Sequence, residues 1–100
     1  MSDDGCKKIA ARLSEEAILE QLAEECGELV QQCAKRLRIL RGENPTPVGL
    51  IENYEHLTEE LVDVRVVMEV FGQKTGIDKT RVHKLAAGKL ARWKMRLGIG

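Results

Sequence analysis

Few residues of this chain are aromatic, and that scarcity limits the kinds of core it can form. Only 3% of its 100 residues are Phe, Trp or Tyr, while 43% are hydrophobic and 32% are charged. A core of this composition must rest on Leu, Val, Ile and Ala, and such chains favour helices over a sandwich of strands. With no strand-like alternation and no internal repeat, the sequence predicts a single all-α domain over residues 1–100. A helical domain of this size commonly buries more surface by oligomerising.

Net charge and long apolar runs are also absent. Sixteen basic residues balance sixteen acidic ones, so there is no electrostatic reason to expect tight binding to nucleic acid or a membrane surface. No run approaches the ~20 apolar residues of a membrane span, and MSDDGCKKIAARL lacks the apolar segment of a signal peptide. We therefore expect neither nucleic acid nor membrane as a partner.

The three cysteines, Cys6, Cys26 and Cys33, lack metal-ligand spacing. Cys26 and Cys33 lie seven residues apart on one helix face, which predicts packed thiols rather than a disulfide. Unpaired thiols are typical of a reducing compartment, so a cytoplasmic location is expected.

Both prolines of the chain lie in GENPTPVG, which separates two long helical patterns. Ser14 is a predicted N-cap, and Gly42 a predicted stop. The turn GQKTGID, with Gly72 and Gly76, is predicted to end the second helix, and Asp78 to cap the third. The predicted helices cover residues 14–42, roughly 50–71, the segment after Asp78, and a short stretch over 6–13.

Two acidic residues lie inside the apolar run LTEELVDVRVVMEVF. With a rotation of 100° per residue, Glu60 and Asp63 fall on the same stripe as Val64, Val67 and Val70. A carboxylate on such a stripe is costly to bury alone, so it must be protonated, paired or bound to a cation.

The first long helix carries a matching pair of acids. Glu25 and Glu28 are three residues apart at the border of its apolar face, a spacing that stacks side chains on one side. Packing this helix against Glu60 and Asp63 would bring four carboxylates together, and a divalent cation would relieve their repulsion. Oxygen ligands favour Mg²⁺, Mn²⁺ or Ca²⁺ over zinc. The Glu-x-x-His pairs of di-iron bundles do not occur.

Two other interpretations stay open at this stage. Acidic helix faces are commonly solvated, and the acids could instead pair with basic residues of a neighbouring helix or subunit, for which the candidates are Arg65, Arg81 and Arg92. In that case the chain is a non-catalytic helical module for oligomerisation or interaction. No glycine-rich phosphate loop is present, so the site would differ from a P-loop.

EECGEL followed by EELVDV resembles the MazG-like nucleotide pyrophosphohydrolases of the all-α NTP pyrophosphatase superfamily. Their motif is E-E-x-x-E, a variable spacer, and E-x-x-D. Glu24, Glu25 and Glu28 match the first part, and Glu60 and Asp63 match the second. The resemblance covers roughly residues 14–97. The long spacer argues against phosphoribosyl-ATP pyrophosphatase, a relative whose motifs are usually closer together.

The resemblance implies a MazG-like bundle of four or five helices, completed as a homodimer or homotetramer. It also implies hydrolysis of a nucleoside triphosphate between the α and β phosphates, which gives the monophosphate and pyrophosphate. Mg²⁺ is the implied cofactor, with Mn²⁺ as an alternative. Glu24 or Glu59 would assist beside the metal or as general base. The residues that would hold the metal are Glu25, Glu28, Glu60 and Asp63.

The resemblance further implies basic residues near the phosphates on a later helix. Lys89 and Arg92 occupy a comparable place in KLARWK, although such residues are commonly solvated. Trp93 is a candidate for stacking on the base, with a core or subunit-interface role as the alternative. Lys35 is a further phosphate candidate from the first long helix. The identity of the base is not readable from these residues.

Overall fold

The computed structural model describes residues 3–43 and 49–100, and in these ranges the chain is helical with no strand. The all-α prediction is therefore confirmed. No helix in the described ranges is long and apolar enough to cross a bilayer. The break predicted at the two prolines falls on residues 44–48, outside the described residues. The helices are α1 (Asp3–Arg12), α2 (Glu15–Arg41), α3 (Leu50–Thr75) and α4 (Lys79–Arg96).

Local signals set most of the helix ends. The Ser14 hydroxyl accepts a hydrogen bond from the Ala17 backbone N–H at 3.1 Å, and the Asp78 carboxylate accepts one from Thr80 at 2.9 Å. These side chains satisfy N–H groups that have no partner within the first turn. At the other end of α2, Gly42 has φ 64°, a left-handed conformation that glycine adopts without a Cβ clash.

The second long helix ends later than predicted. Gly72 was expected to belong to the turn, yet α3 continues to Thr75 and ends at Gly76, whose φ is 70°. An interior glycine costs a helix only about 1 kcal/mol relative to alanine. Continued hydrogen bonding through Gly72, whose carbonyl accepts from Gly76 and Ile77, offsets that cost.

The core lies at one end of the α2–α3 pair. α2 runs antiparallel to α3, and α1 packs on the C-terminal part of α3. The Lys74 ammonium donates to the Ala10 carbonyl at 3.1 Å, a favourable place for a cation at the negative end of α1. We call the core the apolar anchor; it consists of buried Cys6, Ala10, Ile18 and Val70, with Val67 and Phe71 packed against them.

The prediction of packed thiols at Cys26 and Cys33 is wrong for both. Cys6 is buried in the apolar anchor, whereas Cys26 and Cys33 are exposed on α2. The apolar pattern of α2 is wider than the single helix that packs on it, so residues at its edge stay open to solvent in one protomer.

α4 makes no extensive contact with α1, α2 or α3, and none of its residues is buried. The radius of gyration is 16.9 Å, compared with about 13 Å for a compact chain of this length. α4 nevertheless has an apolar stripe, which we call the α4 stripe: Val82, Leu85, Leu90, Trp93 and Leu97 are all exposed.

Candidate metal centre

Three carboxylates from two helices meet at one point. Glu25 of α2 and Glu60 and Asp63 of α3 each place one carboxylate oxygen within 4.8 Å of the others. The antiparallel packing brings the two sequence motifs to the same level. Glu25 and Glu60 are half-buried and Asp63 is exposed, so the group opens to solvent on one side.

Glu28 belongs to the same electrostatic group. It is half-buried, and it acts on Glu60 through its charge and through a hydrogen bond between the two carboxyl groups. It also raises the pKa of Glu25 by charge repulsion. Glu28 therefore lies close enough to act on both acids, although its oxygens fall outside the tight group of three.

One oxygen of Glu25 and one of Glu60 are enclosed and accept no hydrogen bond. The other oxygen of Glu25 accepts from the Gln21 side-chain amide at 2.8 Å. Enclosed carboxylate oxygens usually have a donor or a cation beside them. The two free oxygens therefore mark the place where a cation would relieve both repulsion and desolvation.

The pKa values of Glu25 and Glu60 are both raised. Loss of solvent raises the pKa of Glu25 above its ordinary value of 4.5, and the charges of Glu28 and Asp63 raise it further; the Gln21 hydrogen bond acts in the opposite direction. Loss of solvent is also the largest cause that raises the pKa of Glu60, followed by Glu28. Both shifts have the sign expected for carboxyl groups crowded around a point that lacks positive charge.

These shifts predict that the contribution of Glu25 and Glu60 to the stability of the metal-free protein falls as the pH rises. A carboxyl group whose pKa is raised by folding stabilises the fold fully below the unfolded pKa, about 4.5. That stability is lost as the pH rises through the folded pKa. We expect the thermal unfolding midpoint of Glu60→Gln, measured relative to that of the wild type in EDTA, to increase as the pH is raised from 4 to 8. Thermal melts across this range measure the difference, with the exposed Glu52→Gln as control; a difference that shrinks with pH contradicts the prediction.

The predicted general-base and substrate-binding residues lie outside the group of three carboxylates. Glu24 and Glu59, the candidates for general base, are both exposed. Glu24 lies close enough for its charge to add to the raised pKa of Glu25, whereas Glu59 lines a separate surface depression with Tyr54 and Thr58. Lys35 is half-buried further along α2. The substrate-binding candidates on α4 are Lys89, Arg92 and Trp93. They line a shallow surface cavity of about 520 Å³ that is formed by α4 residues alone. Trp93 is 56% exposed, so it is not a core residue of the protomer.

The alternative of acids paired with arginine has no counterpart inside the protomer. Across residues 3–43 and 49–100, no ion pair is seen to any of the four acids; the Lys8–Asp4 pair lies on α1. None of Arg65, Arg81 and Arg92 reaches the four acids within ion-pair distance. This leaves pairing between subunits as the only form in which the scaffold interpretation survives.

Sequence reasoning missed a polar cluster between α2 and α3, about 10 Å along α2 from Glu25, in which Arg36 and Asn53 are buried. Its side chains come from α2 (Gln32, Arg36) and α3 (Asn53, Tyr54), and we call it the polar clamp. Each residue type alone is ordinary on a helix surface. Their spacing could have indicated the cluster, because Gln32 and Arg36 lie on the same face of α2 as Glu25 and Glu28.

No family model, curated protein or solved structure matches this chain.

Proposed function

We propose that this protein is a Mg²⁺-dependent nucleoside triphosphate pyrophosphohydrolase of the MazG-like type, acting in the cytoplasm. The observation that supports the proposal is the meeting of the EECGE and EELVD carboxylates, with enclosed oxygens on Glu25 and Glu60 that have no donor. Within residues 3–43 and 49–100 the four acids have no basic partner at ion-pair distance. Such a group suits a divalent cation, and a triphosphate is a ligand that such a cation attracts.

The proposed roles follow from position. Glu25, Glu28, Glu60 and Asp63 hold Mg²⁺, or Mn²⁺ in its place; the bound ion supplies charge neutralisation at the phosphates and makes water more acidic. Glu24 or Glu59, both exposed, accepts a proton from the attacking water; Glu24 is the nearer candidate, since its charge acts on Glu25.

We further propose that the protein is a homo-oligomer, at least a dimer, in which α4 docks on a second copy. Its KTRVHKLAAGKLARWKMR sequence contains basic residues and no acidic one, whereas the acid group of α2 and α3 lacks a basic partner. Docking would cover the α4 stripe and carry Lys89, Arg92 and Trp93 towards the substrate bound to the partner. Lys35 would reach the phosphates from α2 of the same protomer as the acids.

The test is pyrophosphate release from the eight common NTPs and dNTPs plus dUTP, with Mg²⁺ and with EDTA. We expect release of monophosphate and pyrophosphate in equal amounts, abolished by EDTA. Release of inorganic phosphate instead would assign a different cleavage position. Folded protein that is inactive on the whole panel would contradict hydrolysis of common nucleotides and favour the helical module.

Metal-linked melting separates a metal site from acids that are paired across an interface. A cation at 100 times its Kd stabilises the folded state by about 2.7 kcal/mol, or roughly 10–20 °C in a chain of this size. We expect this rise with Mg²⁺ or Mn²⁺ in the wild type and its loss in Glu60→Gln with Asp63→Asn. The double variant should melt above the metal-free wild type at pH 8, because repulsion is removed. A double variant that instead loses stability and ignores metal would favour acids paired across an interface.

A further inference from the structure

A buried arginine lies two turns beyond the acids along α2. Arg36 is only 8% exposed, and its guanidinium carbon lies 3.3 Å from the centre of the Tyr54 ring. No carboxylate within residues 3–43 and 49–100 is at ion-pair distance from it, and the segment 44–48 contains no acidic residue. The aromatic face and neutral oxygens therefore compensate its charge.

The contacts of the polar clamp run between α2 and α3. The Arg36 guanidinium donates to the Leu50 carbonyl and to the Asn53 side-chain oxygen, both at 3.5 Å. The Asn53 amide donates to the Gln32 side-chain oxygen at 3.5 Å, and Asn53 is fully buried. Each of these contacts is long, and all of them depend on the relative position of the two helices. A slip of one residue moves a side chain by about 1.5 Å and 100°, so no contact of the set would survive it.

The acids lie between the polar clamp and the apolar anchor. Ile18 and Val70 belong to the apolar anchor. Glu25 lies seven residues from Ile18 along α2, and Asp63 lies seven residues from Val70 along α3. Each separation is about 10 Å. The clamp begins about 10 Å further on, at Gln32. The carboxylates in the middle of the α2–α3 interface therefore repel one another, while the apolar anchor and the polar clamp hold the two helices together on either side.

We infer that the polar clamp is a positioning device that fixes the axial register of α2 against α3, so that Glu25 meets Glu60 and Asp63. The apolar anchor cannot do this alone, because apolar contacts are not directional and tolerate sliding. Fixing the register of packed helices is the best-attested function of buried polar groups, since a shifted register leaves them without partners. The register itself does not depend on catalysis; only the metal readout below rests on the proposed function.

Arg36→Leu is the most informative variant. The exchange removes the cost of burying a charge but takes a donor from the Leu50 carbonyl and the Asn53 side-chain oxygen, which lowers stability. We expect the variant to lose stability but to fold, because the apolar anchor is unchanged. A role in stability alone predicts no further change. A role in register predicts that the fold persists while the two halves of the acid group lose their alignment.

Distances between spin labels measure the register directly. Cys26 is exposed on α2, and Val62 is exposed on α3 at the level of the acids. Labels on Cys26 and Val62→Cys, with Cys33→Ser to remove the other exposed thiol, report the α2–α3 alignment in the metal-free protein. Dilution with unlabelled chain removes distances between subunits. We expect one narrow distribution with Arg36 and a broadened or shifted one, by up to a helical turn of about 5.4 Å, with Arg36→Leu.

Two further variants keep the test decisive. Ala10→Gly weakens the packing of α1 without touching the clamp, and we expect its distance distribution to match that of the wild type. If Arg36→Leu does not fold, Arg36→Lys retains the charge but neither stacks flat nor forks its donors, and intermediate broadening is expected. Distances unchanged in every folded Arg36 variant would overturn the inference.

Mn²⁺ affinity, read from the free-ion resonance in the unlabelled protein, separates this inference from the proposed function. We expect Arg36→Leu to bind Mn²⁺ about 10-fold more weakly, as for other residues that support metal ligands. Altered distances in a protein that binds no Mn²⁺ would support the clamp and overturn the metal site. Normal Mn²⁺ binding with unaltered distances would support the metal site and overturn the clamp.

Discussion

Asp63→Asn is expected to lower kcat/KM for pyrophosphate release by about 100-fold or more. Residues that only support metal ligands cost 10- to 100-fold when changed, and a direct ligand should cost at least as much. The exchange removes one negative charge from the group with Glu25 and Glu60 and leaves side-chain size almost unchanged. Steady-state rates at saturating Mg²⁺, with a titration to high Mn²⁺, measure the loss.

Glu52→Gln is the matched control for this loss. Glu52 is exposed in the first turn of α3, so it changes the same net charge on the same helix away from the acid group. Its rate should stay within twofold of the wild type. Equal losses in Asp63→Asn and Glu52→Gln would point to a general effect of charge and remove the support for Asp63 as a ligand.

Leu85→Glu is expected to dissociate the oligomer and to abolish most of its activity. Leu85 belongs to the α4 stripe and is 49% exposed in the protomer; in the proposed docking it is desolvated, where an unpaired carboxylate is strongly unfavourable. Sedimentation or light scattering should show a monomer, and pyrophosphate release should fall with it.

Met95→Glu provides the comparison on the other side of the same helix. Met95 is 78% exposed and lies about 220° around the helix from Val82, so the added charge should leave assembly and rate unaltered. A monomeric wild type, or a Leu85→Glu oligomer that stays intact, would contradict docking of α4 on a second copy.

Local chemistry explains why much of the fold could be predicted from the sequence. Ser14 and Asp78 cap the helices that they were predicted to cap, because each needs only its own next three residues. The convergence of Glu25 with Glu60 and Asp63 also followed from periodicity, since helical spacing fixes the face and antiparallel packing supplies the partner.

What failed depends on contacts that no local pattern encodes. The low intrinsic helix propensity of glycine favours a turn at Gly72, yet backbone hydrogen bonding continues the helix through it to Thr75. Cys26 was assigned to a core because the pattern marks a face but not how much of it a partner covers. Arg36 and Asn53 were not singled out, because burial of polar residues arises only when two helices are already aligned.

The continuation of α3 to Thr75 has a consequence for the way the chain completes its folding. Four residues beyond Phe71 add about 6 Å of helix, and they carry the start of α4 away from the acids before the chain turns at Gly76. If α4 docks on a second copy, as proposed, the final folding step is the association of two chains. Refolding would then slow on dilution, whereas formation of the α2–α3 hairpin would not.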